Sequence, residues 1–153
     1  MLGNHEVNAD WVDQARALLT NATFLQDAGV SLAVGALARP LHVWGTAFYW
    51  PKEGFFAPPF AAIPEGVDVL LTHGPAASHV DGGMGCPFLL EHVKRLLPRA
   101  VVCGHIHQAH GVCQGQSAAL ERVTFVNAAN AGGPSKKERD SRKLGWSPVV
   151  LEL

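Results

Sequence analysis

Apolar and polar positions along the chain predict six strands and two helices. Apolar or β-branched runs that end at glycine, proline or polar residues are typical of strands, and continuous runs are typical of buried ones. We therefore expect strands at residues 24–34, 41–47, 68–72, 100–103, 123–127 and 148–153, with the first two paired as a hairpin. This alternation of strands with helical segments predicts the α/β fold class.

Two segments carry apolar residues at helical spacing. Asp10 can cap the first helix, and Pro87 occupies a favoured first-turn position of the second, which runs to Leu97. The apolar positions are Val12, Ala15, Leu18 and Leu19 in the first helix, and Leu89, Leu90, Val93, Leu96 and Leu97 in the second. Segments 48–66 and 132–145, which are rich in proline, glycine or charge, are expected to be loops.

Composition narrows the class of protein. The chain has 153 residues, of which 48% are hydrophobic, and 12 Lys and Arg face 13 Asp and Glu for a net charge of -1. This balance argues against a polybasic nucleic-acid binder, so no nucleic-acid polymer is expected as a partner. The length predicts a single domain over residues 1–153. Eight histidines against one tyrosine direct attention to metal binding, because neutral imidazole is the commonest metal ligand in proteins.

The cysteines indicate the compartment. Cys86, Cys103 and Cys113 form no CxxC pair and cannot all be bridged within the chain, which favours buried thiols in a reducing environment. No apolar stretch is long enough to span a bilayer. We therefore expect a cytoplasmic protein that does not bind a membrane.

Histidines follow two of the predicted buried strands. His73 comes directly after the run at 68–72, while His105 and His107 follow the run at 100–103 and lie two residues apart, a spacing that puts both on one side of extended backbone. Gly104 is expected to allow close backbone approach at this point. Together with the pair Asn4 and His5 near the start of the chain, these histidines predict a metal site at the carboxyl ends of the strands.

Three ordered motifs carry a family resemblance. The tetrapeptides Gly3-Asn4-His5-Glu6, Thr72-His73-Gly74-Pro75 and Gly104-His105-Ile106-His107 resemble the last three motifs of the calcineurin-like metallophosphoesterases. The resemblance is closest to the small metallophosphoesterase-domain-containing subgroup, which hydrolyses phosphodiesters. It implies the C-terminal part of a four-layer αββα sandwich with mixed sheets and a metal-dependent hydrolase of small phosphoesters, cyclic nucleotides among them.

The resemblance also implies residue roles. By position, the ligands of one metal are Asn4, His73 and His105, and a ligand of the other is His107. His5 matches the catalytic histidine that stabilises charge on the phosphate or protonates the leaving oxygen. Glu6 either holds His5 in place or faces solvent, and His110 either lines the substrate pocket or lies on the surface. Asp81 can reach the site, although a turn is the favoured interpretation.

The metal content follows from the same motifs. The complete family site holds two divalent ions, and a mixed set of imidazoles and an amide oxygen favours Mn²⁺, with Fe, Zn²⁺ or Mg²⁺ as alternatives. The family's Asp-x-His and Gly-Asp motifs would lie before Gly3, where this sequence has two residues. We therefore expect the first strands to be absent and at most one ion to be well held.

Two hypotheses remain open at this point. In the first, the chain is part of a metallophosphoesterase whose hydrolytic activity belongs to the full domain. In the second, it is a non-catalytic remnant that binds a metal or a partner. A homo-oligomer or a partner chain would then cover the exposed sheet edge.

Overall fold

One mixed sheet organises the part of the chain that the structure, a computed structural model, describes: residues 1, 3–4, 9–35, 37–46, 59–131 and 144–152. Its six strands lie in the order β1-β2-β3-β4-β6-β5. They are β1 Ala28–Leu32, β2 Leu41–Gly45, β3 Val69–Leu71, β4 Ala100–Cys103, β5 Gly111–Gln114 and β6 Thr124–Asn127. The four central strands run parallel, and the two outer strands pair antiparallel to their neighbours. The α/β class is confirmed, and this part of the chain contains one sheet rather than the two of a complete sandwich.

Helix α2 (Pro87–Leu96) covers one face of this sheet. Pro87 begins the helix as predicted, and the Cys86 Sγ caps it by accepting a hydrogen bond of 3.4 Å from the Leu89 N–H. The helix ends at Leu97, which adopts the left-handed conformation and is exposed. The core between helix and sheet consists mainly of Leu89, Val93 and Leu96 from the helix, with Leu70, Val101 and Phe125 from the strands.

The first helix is much shorter than predicted. A 3-10 turn at Val12–Gln14 leads into α1, which spans only Ala15–Leu18, and their N-cap residues, Trp11 and Gln14, make no side-chain capping bond. Asp10 is therefore not an N-cap. Of the predicted apolar positions only Ala15 is fully buried, whereas Leu18 is 60% exposed. A helix of one turn buries too little surface to be stabilised by packing.

One strand prediction is wrong, and one strand was not predicted. Residues 148–152 form no strand, since they pair with no neighbour within the described chain, and Val150 is 86% exposed. Strand β5 was not predicted, because none of its four residues is fully buried and it pairs only with β6 at the sheet edge. The predicted loops at 48–66 and 132–145 fall largely outside the described residues, apart from a 3-10 turn at Pro59–Ala62. None of the described helices is long and apolar enough to cross a membrane.

Candidate metal centre

The carboxyl ends of β3 and β4 bring two histidines together. The hydrogen-bond ladder between these parallel strands continues beyond their carboxyl ends. The Thr72 N–H donates to the Val102 carbonyl and the Gly104 N–H donates to the His73 carbonyl, each at 2.9 Å. His73 and His105 thus leave the sheet side by side. A Cβ at Gly104 would lie 3.9 Å from the His73 carbonyl oxygen, an ordinary contact, so space alone does not require glycine here.

Three side chains converge at this edge of the sheet. The His73 Nε2 lies 2.8 Å from the Asn4 Oδ1 and 3.1 Å from the His105 Nδ1. The two imidazole rings are tilted by 55°, with centroids 4.8 Å apart. All three residues are half-buried, which leaves the cluster open to a ligand. The structure therefore brings together the three residues that the motifs predict for one metal.

The hydrogen bonds of this cluster bear on how it could bind a metal. The Asn4 Oδ1 can only accept, so the His73 Nε2 donates when it bonds this oxygen. In the other neutral tautomer of His73, the proton lies on Nδ1 and Nε2 presents a lone pair toward Asn4 and His105. Two imidazole nitrogens and an amide oxygen at this spacing are donors that suit a divalent ion.

His105 is held in an unusual backbone conformation. Its φ is +69°, and the Ile106 N–H donates to the Gly104 carbonyl at 2.8 Å across it, which defines a γ-turn of the rare, strained type. Strain of this kind is maintained only where the surrounding structure enforces it, and it concentrates at functional sites. The turn directs the His105 ring toward His73.

His107 does not join this cluster. It begins a 3-10 turn, His107–Ala109, and its Nδ1 is buried without a hydrogen-bond partner among the described residues. A buried imidazole nitrogen without a partner is costly. In the part of the chain described here, no three His, Cys, Asp or Glu side chains come close enough to hold a metal ion. His5 and Glu6 lie outside the described residues.

Asp81 and His110 are occupied by other contacts. The Asp81 carboxylate accepts hydrogen bonds from the backbone N–H groups of Ser78, Gly83 and Gly85. Burial would raise its pKa, but these donors together lower it. The His110 Nδ1 donates to the Ala129 carbonyl at 3.0 Å, and its ring stacks on that of Trp146. Asp81 is thus a turn residue.

Sequence reasoning did not single out His79. This histidine is 3% exposed, and its ring stacks on Phe125 with centroids 3.9 Å apart. Its Nδ1 donates to the Ala77 carbonyl, and its Nε2 accepts from the Gln116 N–H at 3.4 Å. It anchors the loop that follows His73. No sequence motif marks it, because its partners are main-chain groups and a ring from other parts of the chain.

Comparisons with known proteins agree with the three motifs. No family model matches the chain. The chain is 35% identical over 127 residues to human metallophosphoesterase domain-containing protein 1, which is 76% of this chain and 37% of that protein. Two UPF0046 proteins of Caenorhabditis elegans are 35% and 32% identical over 73% and 77% of the chain, and over 39% and 44% of their own lengths.

The chain spans about two fifths of the length of these curated relatives. The matched part covers roughly three quarters of the chain. The three histidine motifs and the mixed α/β sheet of the chain agree with the metallophosphoesterase name of the human relative. The chain belongs to the metallophosphoesterase-domain-containing family.

Proposed function

We propose that this chain takes part in metal-dependent hydrolysis of small phosphoesters, with phosphodiesters such as cyclic nucleotides as the substrate class. The observation that carries the proposal is the convergence of Asn4, His73 and His105 at the carboxyl edge of the sheet. The name of the human relative, a metallophosphoesterase domain-containing protein, supports the same chemistry.

The donor set fits a divalent ion. Imidazole nitrogens and an amide oxygen are borderline ligands that suit Mn²⁺, with Fe, Zn²⁺ or Mg²⁺ as alternatives. The buried Nδ1 of His107, on the same loop as His105, has no hydrogen-bond partner in the part of the chain that the structure describes, which supports a role for His107 toward a second ion. When bound, such ions polarise phosphoryl oxygens and lower the pKa of water, which supplies a nucleophile at neutral pH.

The chain's own residues then have distinct tasks. His73 and His105 would hold their imidazoles ready at fixed separation, with the γ-turn at His105 limiting reorganisation on binding. His5, next to Asn4 in the chain, would face the phosphate, where an imidazolium stabilises charge or protonates the leaving oxygen. Glu6 would hold His5 by a hydrogen bond, and His110 would line the pocket beside Trp146.

A non-catalytic role is the second candidate. The described residues contribute two histidines and one asparagine to the cluster, and the carboxylate of Asp81 is bound by backbone donors. Such a set holds at most one ion. In this case the chain would bind a metal without turnover, and a second copy or another protein would pair with the edge strand β1.

The wider setting is part of the proposal. We take residues 1–153 as one domain, because all described strands belong to one sheet. A cytoplasmic location is supported by the three free cysteines, of which Cys86 and Cys103 are buried. The net charge of -1 argues for small phosphoesters rather than nucleic-acid polymers as substrates.

The test is Mn²⁺-dependent hydrolysis of bis(p-nitrophenyl) phosphate by the purified chain. We expect turnover above the metal blank that is lost in His73→Ala and His105→Ala. The matched control is His42→Ala, since His42 is exposed on β2 and its ring bonds the Ser31 hydroxyl across the hairpin, at 2.9 Å. Its backbone bonds to Asp68 are kept in this variant. Its activity should match that of the unchanged chain.

Metal binding separates the two candidates. Mn²⁺ binding that requires His73 and His105, without hydrolysis of any phosphoester tested, would favour the non-catalytic role. An absence of both binding and turnover would refute the metal centre itself. The same assay with His5→Ala and His107→Ala then addresses the proton donor and the second ion.

A further inference from the structure

Asn127 connects the two loops that carry the candidate metal ligands. It ends β6, beside β4, and its side chain is completely buried. The Nδ2 donates to the Val80 carbonyl at 3.0 Å and to the Ile106 carbonyl at 2.9 Å, while the Oδ1 accepts from the Ala129 N–H at 3.0 Å. Both N–H groups of the carboxamide are therefore used, one for each loop.

Both of these loops contain strained backbone. In the loop after His73, Ser78 and Val80 have φ values of 66° and 45°, although neither is glycine and Val80 is β-branched. In the loop after β4, His105 has a φ of 69°. Such conformations persist only when neighbouring contacts hold them. The Asn127 carboxamide makes one such contact in each loop.

The contact with Ile106 is the more direct one. Ile106 lies between His105 and His107, its N–H closes the γ-turn, and its carbonyl accepts from the Asn127 Nδ2 and from the Ala109 N–H. The Ala109 bond is local to the 3-10 turn, whereas the Asn127 bond ties the peptide to strand β6. Because the peptide units on either side carry the two histidines, the Asn127 bond fixes the position of this loop relative to the sheet.

We infer that Asn127 is a positioning residue, which holds the loops after β3 and β4 so that His73 and His105 converge. An apolar side chain of the same size would fill the space but would remove the Asn127 donor from the Val80 carbonyl and leave the Ile106 carbonyl with the Ala109 N–H alone. The expected effect on metal binding rests on the proposed function, whereas the effect on loop geometry does not.

Asn127→Asp tests this inference with little change in shape. The carboxylate keeps the bond from the Ala129 N–H but loses both donors and faces two carbonyl oxygens. The matched control is Asn130→Asp. Asn130 also donates and accepts through its carboxamide, but both of these bonds go to the backbone of Trp146.

Two measurements on the purified chain test whether Asn127 positions the two loops. A Co²⁺ titration followed by visible absorption gives metal affinity, which we expect to fall about tenfold or more in Asn127→Asp, as is typical when a residue that orients a ligand is lost. Amide ¹H–¹⁵N spectra should show shifts concentrated at residues 78–82 and 104–107. The control should change neither the affinity nor those amides.

The opposite results are equally clear. A folded Asn127→Asp chain with unchanged affinity and unchanged amides in both loops would overturn the inference. If that variant does not fold, Asn127→Ser keeps one donor and should give an intermediate loss. If neither variant folds, Asn127 supports the whole fold, and the positioning role is refuted. If the unchanged chain binds no Co²⁺, the proposed function fails, and the amide spectra alone decide the positioning role.

Discussion

Replacing His105 by glycine should stabilise the fold relative to alanine while it removes the metal ligand. The γ-turn gives His105 a φ of 69°, where an L-residue with a Cβ is disfavoured by about 1–2 kcal/mol. Glycine avoids this penalty but has more freedom to lose on folding, an opposing effect of roughly 0.5–1 kcal/mol. We expect His105→Gly to exceed His105→Ala in unfolding free energy by about 1 kcal/mol.

Thermal unfolding followed by circular dichroism measures this difference. For a domain of this size, about 1 kcal/mol corresponds to a difference in Tm of about 2–4 °C. The control pair is His42→Ala and His42→Gly, because His42 lies within strand β2 and has no positive φ. There the order should reverse, with the glycine variant less stable by roughly 0.5–1 kcal/mol.

The same variants test the link to the metal centre. Metal at 100 times its Kd should stabilise the unchanged chain by about 2.7 kcal/mol, because the ion binds only the folded state. Neither His105 variant should gain this stabilisation. If His105→Gly melts at or below the temperature of His105→Ala while the His42 pair behaves as expected, the turn at His105 is not strained.

Three further predictions concern stability and reactivity. Leu70→Ala removes a fully buried core side chain and should cost about 2–5 kcal/mol in urea unfolding, whereas Leu144→Ala, 76% exposed in the unchanged chain, should cost less than about 0.5 kcal/mol. Hydrogen bonds from the Arg39 guanidinium hold the pKa of the Asp68 carboxyl below its usual range. The ionised carboxylate should therefore stabilise the fold above about pH 3.9, and this stabilisation should disappear as the pH falls through the pKa of Asp68 in the folded chain. Asp68→Asn should flatten this part of the acid unfolding curve. Burial raises the pKa of the Cys103 thiol to about 12, so a thiol reagent at pH 8 should label half-exposed Cys113 well before Cys103, and equal labelling rates would contradict the packing.

The central strands could be predicted because burial on both faces leaves a clear pattern. Strand β4 occupies the predicted residues, and β3 lies within the predicted run at 68–72. The hairpin of β1 and β2 is also confirmed. At the opposite edge of the sheet the same reasoning fails, since β5 pairs on one side only and was not predicted. It also fails at residues 148–152, which pair with nothing in the described chain. Whether such a segment forms a strand depends on which neighbouring strand is available, and the residues of the segment do not show this.

The candidate site, like the fold, could be predicted only in part. That His73 and His105 meet follows from parallel strands whose carboxyl ends share an edge, and the structure brings these residues within hydrogen-bonding distance. That His107 lies apart from them was not predictable, because a γ-turn interrupts the extended backbone that the His-x-His spacing assumes. The role of His107 stays a prediction.

The sequence by itself determined the elements whose information is local: the apolar runs of β3 and β4, the proline at the start of α2, and the order of the three histidine motifs. The tertiary structure alone decided what depends on distant partners. Asn4 meets His73 across 69 positions of chain, and Asn127 reaches Ile106 across 21. Hydrogen bonds between such segments exist only once the sheet has formed, because the sheet brings their atoms within reach.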